Sequence, residues 1–162
     1  MRSQSGRKQL KPEVALMRLE ELCARSEQCE GEVRRKLRAW QICDEDADTI
    51  VRSLVRRRFV DDSRYASAFT RDKYRFARWG RRKIELALRQ KQVDADIIGE
   101  ALDAIDEEEY AGVLRALLAS KMKNMAEPES YEERNRLFRF AVSRGFEISL
   151  VGKTIASLLK EK

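Results

Sequence analysis

The chain has 162 residues, of which 43% are hydrophobic and 38% are charged, and its net charge is +6. That is enough apolar mass for a core and enough charge for long solvated helix faces, while two prolines and seven glycines are too few for a chain rich in turns or strands. No stretch nears the ~18 apolar residues of a membrane span, and the absence of histidine and of any Cys-x-x-Cys pair argues against a zinc site and against histidine-based acid–base catalysis.

Residues 1–12 read as a flexible basic tail without the apolar segment of a secretory signal, ending at Pro12, which suits the first turn of a helix. Apolar spacing of three and four then predicts a first repeat over 13–60, with helices at 13–27, 30–40 and 45–59. A second repeat over 61–106 has predicted helices at 62–78, 81–91 and 95–106, and a third over 107–162 has them at 107–122, 130–144 and 148–160. Leu16, Leu19 and Leu22 form the apolar stripe of the first opening helix; Tyr65, Phe69 and Phe76 form the second, and Tyr110, Leu114 and Leu117 the third. Asp44 and Asp94 stand where a carboxylate caps the third helix of a repeat, and Asp61 or Asp62 stands before the helix that opens repeat two. Gly145 falls where a helix must stop and turn, and 122–130, with Pro128, is a longer loop. Cys23, Cys29 and Cys43 fall on helical segments and read as reduced thiols of a cytoplasmic protein.

The repeat rests on register. Val33, Leu37, Ile42, Ala47, Ile50, Val51 and Leu54 recur 51 residues later as Ile84, Leu88, Val93, Ile98, Ala101, Leu102 and Ile105. A further 53 residues on stand Leu137, Ala141, Phe146, Val151, Thr154, Ile155 and Leu158, of which Thr154 alone is not apolar. The expected fold is all-α: three tandem three-helix repeats stacked into an elongated, curved body, since one such unit buries little surface alone.

Charge is segregated along the chain. Residues 52–93 carry 14 basic and 4 acidic side chains, whereas 94–110 carry 8 acidic and no basic ones. The basic block makes Arg56, Arg57, Arg58, Arg71, Lys73, Arg75, Arg78, Arg81, Arg82, Lys83, Arg89 and Lys91 candidates for contact with nucleic acid or an acidic partner. Tyr74 and Trp79 lie among them and are placed to stack on bases or guanidinium groups. The blander account is a solvated helix face whose arginine stems cover apolar surface. The acidic run Asp103, Asp106, Glu107, Glu108 and Glu109 reads as a helix junction, favoured at a helix start by the dipole. Gly152-Lys153-Thr154 resembles the tail of a phosphate loop, but Glu147 stands where that loop needs glycine. No catalytic constellation, cofactor or metal site is expected, and the chain is expected to act as a monomer that docks on another macromolecule.

The string Phe59-Val60-Asp61-Asp62-Ser63-Arg64-Tyr65-Ala66, followed by Trp79-Gly80, Lys83-Ile84, Leu88-Arg89, Lys91 and Val93, closely resembles the RecX regulatory protein family of bacteria. Phe138-Arg139-Phe140 and Arg144-Gly145-Phe146 resemble that family's C-terminal repeat. Val60, Gln92 and Cys29 depart from it, standing where leucine, glycine and a capping serine are usual. The resemblance implies tandem three-helix repeats and a regulator of the RecA recombinase. Such a regulator binds the RecA–DNA filament along its groove, hinders ATP hydrolysis and strand exchange, and thereby modulates DNA repair and the SOS response. It also implies that single- or double-stranded DNA is a partner of some members. Asp61, Asp62, Arg64 and Tyr65 form the family motif, which reads as a helix cap and a brace between repeats. The rival reading is a helical protein that binds DNA directly without a recombinase, and a third is a passive scaffold.

Overall fold

A computed structural model describes residues 9–161. Among them lie nine helices and no strand: α1 Pro12–Arg25, α2 Glu30–Ala39, α3 Asp44–Arg56, α4 Asp62–Arg75, α5 Arg81–Gln90, α6 Ala95–Asp103, α7 Glu107–Met122, α8 Tyr131–Ser143 and α9 Ile148–Lys160. Most of the expected N-terminal tail lies outside the described residues. Within them, Leu10 packs on the core beside α1 and Gln9 donates from Nε2 to the Gln41 carbonyl at 3.1 Å.

The chain divides into two compact units. The first comprises residues up to Tyr65 together with Lys91–Val93, and the second comprises Ala66–Gln90 with Asp94 onward. The first unit is centred on Leu19, Val33, Leu37, Leu54 and Val60, all buried. In the second, Ile84, Leu88, Tyr110, Leu114, Leu118, Leu137 and Phe146 are buried, with Tyr110 tilted against Phe146 at 5.3 Å between ring centroids. Of the repeat-register positions, Leu102 and Leu158 are half-buried and the rest are buried. Truncating one of these large aliphatic side chains costs about 2–5 kcal/mol.

The second helix of each three-helix segment ends alike. Gln41, Gln92 and Gly145 follow α2, α5 and α8 at φ 59°, 61° and 94°. Beyond α2 the Ile42 amide returns to the Leu37 carbonyl, and beyond α8 Phe146 returns to Ala141. These 6→1 bonds after a left-handed residue define a Schellman stop. The same device, at Arg58 (φ 60°) with the Phe59 amide on the Leu54 carbonyl, ends α3 earlier than apolar spacing predicts; α4 also ends early, at Arg75, and a left-handed Arg78 (φ 55°) follows in the turn beyond it.

Several expected caps differ. Asp44 is the first residue of α3, preceded by Cys43, and Asp94 precedes α6 without a side-chain bond to it. The caps that form are Asp61 Oδ1 on the Arg64 amide at 3.0 Å, Asp106 on Glu109 and Ser130 on Glu133. Phe76 leaves the apolar stripe of its helix: it lies just past the end of α4 and is 80% exposed. Gly152-Lys153-Thr154 lies inside α9, where the Thr154 hydroxyl donates to Leu150 O.

Candidate macromolecule-binding surface

In the first unit the Asp-Asp-Ser-Arg-Tyr motif is a fastening. Asp61 caps its own helix, while Asp62 Oδ1 accepts from the Glu30 amide at 2.9 Å and so caps α2 from another element. Cys29 occupies the cap position of α2 and makes no side-chain cap bond; its thiol lies 3.8 Å from the Lys91 carbonyl. The carboxylate of Asp62 thus does the work a serine would do there. Arg64 bonds Glu27 at 2.6 Å and donates to the carbonyls of Arg58 and Phe59, pinning the turn before α4. Tyr65 is buried beside Glu32 and Lys91; burial first, then the Glu32 carboxylate, pushes its phenol up to about 12. Lys91 is ion-paired with Glu32, and that bond keeps its ammonium pKa above the usual value although burial works against the charge. Gly31 lies so close to the Lys91 carbonyl that a methyl group there would collide with it.

The second unit repeats this arrangement with other side chains. Gly80 donates to Arg144 O at 2.8 Å and Arg82 to Gly145 O at 3.1 Å, so the amino end of α5 meets the carboxyl end of α8. The opposite dipole ends of two helices are thereby joined. The Arg81 amide is taken by the Tyr110 hydroxyl at 2.9 Å, which itself donates to Glu147 at 2.7 Å. Tyr110 thus plays toward α5 the part that Asp62 plays toward α2.

These fastenings absorb much of the basic block. Arg81 is paired with both Glu107 and Glu147, lies over the Tyr110 ring at 4.2 Å and is only 20% exposed at its side chain. Burial disfavours its charge, but Glu147 and Glu107 outweigh that and raise its pKa. Arg75 grips Glu109 in a two-point bond of 2.6 and 3.1 Å; this bond first, then the Tyr74 hydroxyl at 2.9 Å, holds the Glu109 carboxyl below its ordinary pKa. Arg57 is paired with Glu20, Arg64 with Glu27 and Arg89 with Glu85. Tyr74 is 4% exposed, so stacking of a base on it is ruled out.

Arg56, Arg58, Arg71, Arg78 and Arg82 remain exposed and make no ion pair among the described residues. In the second unit Lys73 and Lys83 each place an ammonium 4.6 Å from the centre of the Trp79 ring, and Trp79 meets Phe69 edge-on at 6.4 Å. Spacing misses Phe76 as a surface residue because it fits the stripe of α4; the end of that helix at Arg75 and the left-handed Arg78 in the turn beyond have no signature in periodicity. Charge density in turn cannot separate Arg81, whose partners lie 26 and 66 residues away, from Arg82.

Paired helix-end fastenings repeated along an all-helical chain, with cations left outside them, define a tandem three-helix-repeat protein. Residues 61–102 match the second three-helix domain of RecX and residues 107–155 the third. The chain belongs to the RecX family. It is 33% identical over 124 residues to the regulatory protein RecX of Clostridium botulinum (strain Alaska E43 / Type E3), covering 75% of this chain and 58% of that protein. This chain therefore spans less than two thirds of that relative's length. It is 23% identical over 157 residues to RecX of Amycolatopsis mediterranei, covering 94% and 90% of the two chains. The crystal structure of RecX from Lactobacillus salivarius shares the fold with a TM-score of 0.80 at 21% identity, over 91% of this chain and 96% of that one. No helix among the described residues is long and apolar enough to cross a membrane.

Proposed function

We propose that this chain binds the RecA recombinase–DNA filament and slows its ATP hydrolysis and strand exchange, acting by docking rather than by catalysis. Membership of a family of regulatory proteins sets the class. The observation that carries the reading further is the division of the basic block: Arg57, Arg64, Arg75, Arg81, Arg89 and Lys91 are spent on internal pairs, whereas Arg71, Arg78 and Arg82 point outward without a carboxylate. Exposed cations that neutralise nothing within the fold raise the local potential toward a polyanion such as a nucleoprotein filament. Many weak contacts along a repeating partner add to tight binding.

The test is RecA-catalysed ATP hydrolysis on saturating single-stranded DNA. Hydrolysis should fall when this protein is present at far below the RecA concentration. Unchanged hydrolysis up to equimolar protein would refute the proposal.

A further inference from the structure

At the carboxyl end of α4 an aromatic ring stands open amid cations. Phe76 is 80% exposed and lines a shallow depression with Phe69, Asp72, Lys73 and Ala77. Trp79 and Lys83 adjoin it through Lys73, whose ammonium lies 5.2 Å from the Phe69 ring and 4.6 Å from that of Trp79. Asp72 is the acidic side chain of this lining; Glu109, at the neighbouring start of α7, is held by Arg75 and Tyr74.

The turn that presents Phe76 is held rigidly. Trp79 N–H returns to Lys73 O at 3.0 Å, Arg144 reaches Ala77 O at 3.4 Å, and Gly80 is tied to Arg144 O. Its left-handed residue is Arg78, at φ 55°, fully outward and without an ion pair. A left-handed non-glycine residue is strained, and glycine there relieves the strain.

We infer that the α4–α5 turn is a binding site for a single strand of nucleic acid, with Phe76 stacking on an unpaired base and Arg78, Lys73 and Lys83 taking the flanking phosphates. An exposed ring face interleaved with cations matches what an unpaired base and its phosphates require, whereas the bases of a duplex are stacked on each other and offer the ring no face. An acidic protein segment would use the cations but has no need of an open ring. This deepens the proposed function, and rests on it in assigning this surface to the DNA of the filament.

The experiment uses the full chain without RecA and a fluorescent thymidine oligonucleotide, read by anisotropy. Wild-type protein should bind it in preference to a duplex of equal length and to polyglutamate. Phe76→Ala should weaken binding by about 10-fold, as loss of one stacked base does, and Phe76→Trp should retain it. Arg78→Gly should raise Tm by about 2 °C while weakening binding severalfold. Gln92→Gly, which relieves the same left-handed strain at the end of α5, should raise Tm equally and leave binding unchanged. Equal affinity for duplex, preference for polyglutamate, or indifference to Phe76→Ala would overturn the inference. ATPase inhibition without oligonucleotide binding would sink this inference and leave the regulatory reading standing. Binding without inhibition would do the reverse.

Discussion

At the scale of single residues, the family motif is a set of hydrogen bonds whose loss has a calculable cost. Asp62→Ala leaves the Glu30 amide without its carboxylate, and Cys29 supplies no substitute. Thermal or urea unfolding should show a loss of about 1–2 kcal/mol, with Asp62→Asn milder because it keeps an acceptor. Tyr65 gives a pH signature. Its folded pKa of about 12 lies above the ordinary 10, so the stabilisation from its neutral phenol is complete below pH 10 and is lost as pH rises through 12. Tyr110, buried more deeply, is raised in the same sense. Stability of the wild type should therefore fall between pH 10 and 12, and Tyr65→Phe should flatten that slope; an unaltered slope would show that Tyr65 does not titrate in this way. The sequence marks these residues as special through the Asp-Asp-x-Arg-Tyr string. It does not say that Asp62 acts on α2, because its target lies 32 residues back across a fold.

At the scale of elements, helix stops and close backbone contacts govern stability. Gln41 and Gln92 carry strain that glycine removes, so Gln41→Gly and Gln92→Gly should each stabilise the chain by about 0.5–1 kcal/mol in urea titration. Gly145→Ala should do the opposite, and by more. It places a Cβ at φ 94° against the backbone and Cβ of Lys83, where nothing flexible can yield. A loss of about 3 kcal/mol or more is expected, enough to lower Tm by roughly 6–12 °C. Helix type and order are legible because the register of Val33 to Leu54 recurs twice with every helix in phase. The ends are less so. A left-handed Arg58 stops α3 while apolar spacing runs on to Phe59, and α4 ends at Arg75 while spacing runs on to Phe76. Caps at Asp44 and Asp94 fail because a carboxylate next to a helix start still needs the geometry to reach an amide.

At the scale of the whole molecule, a basic block of sequence separates in the fold into internal fasteners and outward cations. Charge counting finds the block but not the division, since the carboxylates that claim Arg57, Arg75, Arg81 and Lys91 come from distant elements. The division decides which charge reversals are informative. Arg81→Glu would set a carboxylate against Glu107 and Glu147 and break the fold, whereas Arg78, Arg82 and Lys83 can be reversed without touching an ion pair. The most direct measurement is therefore RecA ATP hydrolysis on single-stranded DNA, titrated with wild-type protein and with the triple variant Arg78→Glu, Arg82→Glu, Lys83→Glu, both checked for equal helicity by circular dichroism. Inhibition by the wild type that is lost in an equally helical variant at physiological salt is the predicted result; undiminished inhibition by the variant would contradict it.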